Sequence, residues 1–195
     1  MKYYLGYWSL KLIMKWIPEE TSNRIIEDVL HKQEIMYSHK LLVEHMRNRL
    51  PFRNVFYWRI DNERKKGNIT FITVLLEKFL QIMFPALSTI EISISSGELG
   101  GDFYLPHSYC VINAEKIGSH VSILQGVTIG KDHKGKRPDI GNSVVIYPNS
   151  VITGGIKVGD HVYIGANSFV NFDVENWGTV RTMKASVSKY DKLNN

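Results

Sequence analysis

Ile140-Gly-Asn-Ser-Val-Val-Ile146-Tyr-Pro-Asn-Ser-Val-Ile152-Thr-Gly-Gly-Ile-Lys-Val158-Gly-Asp-His-Val-Tyr-Ile164-Gly-Ala-Asn-Ser-Phe-Val170 carries an aliphatic residue at every sixth position. The same lattice runs upstream through Leu99, Leu105, Val111, Ile117, Ile123 and Ile129, then skips eleven residues to Ile140. A period of six matches neither a helix nor a plain strand. It matches a coil of three short strands in which each side takes six residues and residues eighteen apart stack on one face. Coils of this kind bury their apolar residues on one another, so stability adds up along the stack. The expected stacks are Leu99/Ile117/Ile140/Val158, Leu105/Ile123/Ile146/Ile164 and Val111/Ile129/Ile152/Val170. Glycine follows six lattice positions (Gly100, Gly118, Gly130, Gly141, Gly159 and Gly165) and is expected to permit the turns.

The first 88 residues have a different period and read as helical. Pro18-Glu-Glu-Thr-Ser opens a helix through about Lys32, with Ile25, Ile26, Val29 and Leu30 on one face. Leu41, Leu42, Val43, His45 and Met46 mark a second helix, ended by Pro51. Phe71, Val74, Leu75, Phe79, Ile82 and Met83 mark a third, ended by Pro85. The division expected is a helical domain over 1–88, a β-helix of about four coils over 89–176 with a loop at 131–139, and a tail over 177–195.

Composition bounds the function. The chain has 195 residues, 44% hydrophobic and 22% charged, which is ordinary for a folded domain. Its one cysteine, Cys110, excludes a disulfide framework or a cysteine-built metal site within one chain. The net charge of +5 sits in residues 1–90, which hold 14 basic and 9 acidic residues. We read this as a solvated helical surface, with no nucleic-acid partner. The aromatic start, Met1 to Ile17, is interrupted by Lys11 and Lys15 and lacks the form of a signal peptide. It is too short and charged to span a bilayer. Packing against the protein is its expected fate, with peripheral membrane contact the alternative. A cytoplasmic, reducing location fits the cysteine count.

Two features interrupt the regular coil. Gly130-Lys-Asp-His-Lys-Gly-Lys-Arg-Pro-Asp139 adds five residues, which must leave at a corner as an exposed loop. Its Lys131, Lys134, Lys136 and Arg137 suit a cationic flap over an anionic ligand. His107 lies two residues past Leu105, at a corner and facing out, and Gln125 takes the equivalent place one coil later. A neutral imidazole there can accept a proton from an attacking hydroxyl. It needs a carboxylate to hold its tautomer, and Glu91, about one coil earlier, is the candidate.

Leu105-Pro-His-Ser-Tyr-Cys-Val-Ile-Asn113, Ile123-Leu-Gln-Gly-Val-Thr-Ile-Gly130 and Lys136-Arg-Pro-Asp-Ile-Gly141 resemble the serine O-acetyltransferases. They are closer still to the short serine-acetyltransferase-like proteins of capsule and polysaccharide clusters, as are Phe52-Arg-Asn-Val-Phe-Tyr-Trp-Arg59 and Pro85-Ala-Leu-Ser-Thr-Ile-Glu-Ile92. The resemblance covers most of residues 50–175 and implies a left-handed hand for the β-helix. It implies acetyl transfer from acetyl-CoA to the hydroxyl of L-serine, or alternatively to a sugar hydroxyl of surface polysaccharide, without a metal. It implies a homotrimer with active sites between prisms. His107 matches the family's general base and Glu91 its acidic partner. Gln125 lines the next coil, and Lys136 and Arg137 match the loop that closes over substrate. Gly130, Thr153, Gly154 and Ala166 match small residues along the pantetheine path, and Lys184 a basic residue near the CoA phosphates.

The departures concern the acceptor. Pro106 stands where the serine-specific enzymes have Asp. Arg137-Pro138 replaces an Arg-His pair, with His133 displaced upstream, and Thr182-Met-Lys-Ala185 replaces Gly-Val-Pro-Ala. The tail ends in Asn195 rather than the isoleucine that docks into cysteine synthase, so no such complex is expected. A non-catalytic scaffold is a remoter reading. So is a carbonic-anhydrase-like zinc site drawn from His107, His120, His133 and His161, among which no pair has close ligand spacing. Cys110 is read as a packing residue rather than a nucleophile.

Overall fold

The computed structural model describes residues 2–182, with side chains from Tyr4 onward. Five helices come first: α1 (Lys2–Trp16), α2 (Glu19–Leu30), α3 (His39–Asn48), α4 (Leu50–Lys65) and α5 (Phe71–Met83). Ser38 caps α3 by accepting from the Leu41 N–H, and Thr70 caps α5 by accepting from the Thr73 N–H. Pro51 does not simply end α3. It sits in the first turn of α4, where a missing N–H costs nothing. The stretch Phe52 to Arg59 is therefore helical, and it joins the two halves of the chain. Phe52, Phe56 and Ile60 of α4 belong to the helical core with Leu10, Ile13, Ile25 and Leu42, whereas Val55 packs into the core of the β-helix.

All strand pairings after residue 89 are parallel, and they close a three-sided coil. The first side stacks β1 (Ile90–Ile94), β2 (Cys110–Ala114), β5 (Thr128–Gly130), β8 (Val151–Thr153) and β11 (Phe169–Val170). The second stacks β3 (Lys116–Ile117), β6 (Asp139–Ile140) and β9 (Lys157–Val158), extended by bridges at Leu99 and Val174. The third stacks β4 (Ser122–Ile123), β7 (Val145–Ile146), β10 (Tyr163–Ile164) and β12 (Thr179–Val180), extended by a bridge at Tyr104. Each side thus holds five layers rather than the four expected, and the winding continues past residue 176 through β12.

Two of the expected stacks are found as written: Leu99, Ile117, Ile140 and Val158, and Leu105, Ile123, Ile146 and Ile164, are all buried. The third needs a correction. Ile112, not Val111, pairs with Ile129 and is buried, while Val111 is 41% exposed. The corner between Leu105 and Ile112 holds one extra residue, with Tyr109 in the left-handed region at φ 64°. The following corner loses one, so the coil still totals eighteen residues and later layers stay in register.

The glycines also act differently from expectation. Gly118 and Gly141 do not have positive φ; a Cβ there would stand 2.7 Å and 2.8 Å from the backbone of the next coil. They permit close stacking of coils. The left-handed turns at that corner are taken by Asp102, His120, Ser143, His161 and Trp177.

Candidate active site

The residues singled out from the sequence fall at two corners that flank the first side. Where the chain enters that side, His107, Gln125, Pro148 and Ala166 occupy equivalent places in successive layers, at the irregular corner just described and its regular successors. The pairing of Tyr104 with Ser122 and of Ser122 with Val145 sets this register. Glu91 lies at the same edge, exposed on the outer face of β1 and paired with Val111. Among the described residues neither His107 nor Glu91 makes a side-chain hydrogen bond, so the proposed tautomer contact is not made within the single chain.

Where the chain leaves the first side, Gly130, Thr153 and Gly154 lie beside the loop. The loop leaves the prism at this corner, as expected, but is held against it. The Asp132 carboxylate accepts from the Lys134 and Lys136 N–H groups at 2.8 and 2.9 Å, and these bonds hold it below the usual carboxylate range. Arg137 Nε donates to Asn113 Oδ1 at 2.7 Å, and the Lys136 stem lies over Gly155. Thr153 donates to the Lys131 carbonyl. No atom of the described residues beyond its chain neighbours comes within 4 Å of a Cβ built on Gly130, so this corner has room for a chain-like ligand. Lys184 lies outside the described residues.

Sequence reading missed a cavity of about 430 Å³ between the α3–α4 junction and the first coil. His107 and Ser108 stand on one wall with Tyr104, and His45, Asn48 and Arg49 on the other. The signal in the sequence was the helix break at Arg49-Leu-Pro51, which turns the chain toward the prism. Among the described residues the half-buried Arg49 guanidinium has no ion-pair partner. Asp28, the acidic group in the cavity wall, is committed elsewhere. Arg59 donates to both its oxygens at 2.7 and 2.9 Å and to the carbonyls of Leu99 and Gly100, and the Phe103 N–H adds a third bond. This cluster ties α2 and α4 to the first coil. Burial pushes the Asp28 carboxyl up, with the Arg59 charge opposing it.

Cys110 is fully buried at the entry corner. Its thiol donates to the Leu124 carbonyl at 3.2 Å, as the Ser150 hydroxyl does to Gly165 two layers on. Burial raises its pKa, which suits packing rather than nucleophilic attack. The four candidate zinc ligands lie at three corners. His107 is at the entry corner and His133 in the loop, while His120 bonds Asp102 at 2.8 Å and His161 stacks on Trp177. Among the described residues no group of three His, Cys, Asp or Glu is placed to hold a metal.

Residues 137–171 match the bacterial transferase hexapeptide (six repeats) family. Serine acetyltransferases of Staphylococcus aureus and Staphylococcus epidermidis are 38% and 39% identical over 99 residues. The matched stretch is 48% of this chain and 46% of either relative, so the chain spans about half the length of the relatives it matches. Across the whole fold, the serine acetyltransferase of Neisseria gonorrhoeae superposes with a TM-score of 0.64 at 23% identity, covering 95% of this chain and 78% of that one. Isoform 3 of the Entamoeba histolytica enzyme, solved with cysteine, gives 0.60 at 18% identity, covering 88% and 62%. The chain thus carries a hexapeptide-repeat segment and, over about half its length, is similar to serine acetyltransferases. Its helical half followed by a left-handed parallel β-helix is the α+β architecture expected from the lattice and the resemblance.

Proposed function

We propose that this hexapeptide-repeat protein is an O-acetyltransferase that moves an acetyl group from acetyl-CoA to a small hydroxyl acceptor, with L-serine the acceptor to test first. The observation that carries the proposal is His107, exposed at an irregular corner on the wall of a cavity. The imidazole takes the hydroxyl proton as the oxygen attacks the thioester carbonyl. The tetrahedral intermediate collapses, the C–S bond breaks, and the proton returns from the imidazolium to the leaving thiolate. The unpaired Arg49 guanidinium suits a carboxylate on the acceptor, which serine carries. Glu91 is the proposed orienting partner of His107.

The groups required for the donor stand at the other corner of the first side. Gly130, Thr153 and Gly154 leave open space for a pantetheine chain, and Lys136 and Arg137 offer positive charge. One prism keeps these apart from His107, so the reading requires a second copy to bring its loop corner to the first copy's His107. The outer face of the first side supports such an assembly. Beyond Glu91 it presents Val111, Thr128, Val151 and Phe169 in one column, with Val111 and Phe169 exposed. A homotrimer satisfies all three sites at once.

Thiol release from acetyl-CoA in the presence of L-serine tests the reading. His107→Ala is expected to lower kcat by about 10²–10⁴-fold while leaving the assembly intact by light scattering. Undiminished transfer removes His107 as the base. Arg49→Ala is expected to raise KM for the acceptor about tenfold or more, with little change in KM for acetyl-CoA. An unchanged acceptor KM detaches the cavity from acceptor binding.

A further inference from the structure

The helical half presents a broad apolar surface that none of the other described residues covers. Gly6 of α1 lies against Phe84 and Met83, which sets the start of α1 beside the end of α5. Both helices bury one face: Leu10, Ile13 and Met14 on α1, and Thr73, Glu77 and Leu80 on α5. Their other faces are exposed and apolar. On α5, Phe71, Ile72, Leu75, Phe79 and Ile82 stand outward, with Ile82 82% exposed. On α1, Leu5, Trp8 and Trp16 do the same. Large apolar side chains gathered on one exposed surface mark an interaction site.

The charge on this surface has one sign. The sequence of α1 holds no acidic residue, and the single carboxylate of α5, Glu77, is buried against Arg64 and Gln81. Lys11, Lys15 and Lys78 are exposed on the same two helices. Lys11 Nζ sits 5.1 Å from the centre of the Trp8 ring. Lysines beside exposed aliphatic side chains and tryptophan rings match a bilayer interface, where rings lie at headgroup depth and cations meet anionic lipid. A second copy of this surface would set lysine against lysine with no carboxylate to receive it. No described helix is long and apolar enough to cross a membrane.

We infer that the joined outer faces of α1 and α5 dock the protein onto the surface of an anionic lipid bilayer. The apolar side chains enter the acyl boundary and the lysines hold the headgroups. The inference is independent of the acetyl-transfer reading.

Flotation of the full chain with vesicles of phosphatidylglycerol and phosphatidylcholine, against phosphatidylcholine alone, tests it. Binding is expected to the anionic vesicles, with a blue shift of tryptophan emission, and to weaken as salt rises. The neutral pair Leu75→Gln and Ile82→Gln is expected to weaken binding at least fivefold, about 1 kcal/mol, with far-UV circular dichroism unchanged. Lys11→Gln with Lys15→Gln is expected to weaken it about tenfold. Absence of vesicle binding overturns the inference. So does binding that the Leu75/Ile82 pair leaves unchanged, or a self-association that this pair dissociates in a protein that ignores vesicles.

Discussion

Cys110 shows how one layer fixes the chemistry allowed at a position. Ser150 and Ser168 stand at the same corner in later layers and donate to the Gly165 carbonyl at 2.8 and 2.6 Å. Cys110→Ser is therefore expected to keep full acetyl transfer and to change stability by less than about 1.5 kcal/mol. Loss of activity in a folded Cys110→Ser protein indicates a covalent role that its burial argues against. His107, three residues earlier, has the opposite character: exposed, without a side-chain hydrogen bond among the described residues, and on a cavity wall. Reading the sequence as a six-residue lattice located His107 because corners follow lattice positions at a fixed offset. The same reading placed Val111 inward, because a regular period cannot register one residue gained at a corner and lost at the next. The irregular corner is the one that carries His107.

Elements differ in what their glycines do. A Cβ on Gly141 would meet the Gly159 carbonyl carbon at 2.8 Å and Asp160 Oδ1 at 2.7 Å, both fixed by the next coil. Gly141→Ala is expected to cost about 1–3 kcal/mol, visible as a fall in Tm of several degrees. Gly130→Ala meets nothing within 4 Å. Its stability is expected to stay within about 0.5 kcal/mol, or to rise slightly through the unfolded chain. If the exit corner carries the pantetheine chain, Gly130→Ala raises KM for acetyl-CoA instead. Equal Tm losses in the two variants contradict this division of roles. Both glycines follow a lattice isoleucine, so local sequence cannot tell them apart. Gly141 is stacked on by a coil eighteen residues on, and Gly130 is followed by a loop that opens the space beside it.

At the scale of the whole molecule, the separation of His107 from Lys136 and Arg137 at two corners of one prism has a direct consequence. Co-assembly of His107→Ala chains with chains carrying both Lys136→Ala and Arg137→Ala is expected to restore activity that neither protein has alone. Random mixing in a trimer gives roughly a quarter of the sites an intact base and an intact neighbouring loop. No recovery on co-assembly argues that each chain builds its own site. The Asp28–Arg59 cluster belongs to this scale too, since it joins α2, α4 and the first coil and so fixes the second wall of the cavity beside His107.

The sequence alone determined the coil, two of its three inward stacks, the corner of His107 and the exit of the loop. Each follows from the spacing of apolar residues, which reports burial over short distances along the chain. Tertiary structure decided the rest: that Pro51 opens α4, that α4 packs against β1 and sends Val55 into the core of the prism, that Arg49 and His107 line one cavity, and that α1 and α5 set their exposed apolar faces side by side. These depend on how two differently patterned halves pack together, and no periodicity within either half encodes the contacts between them.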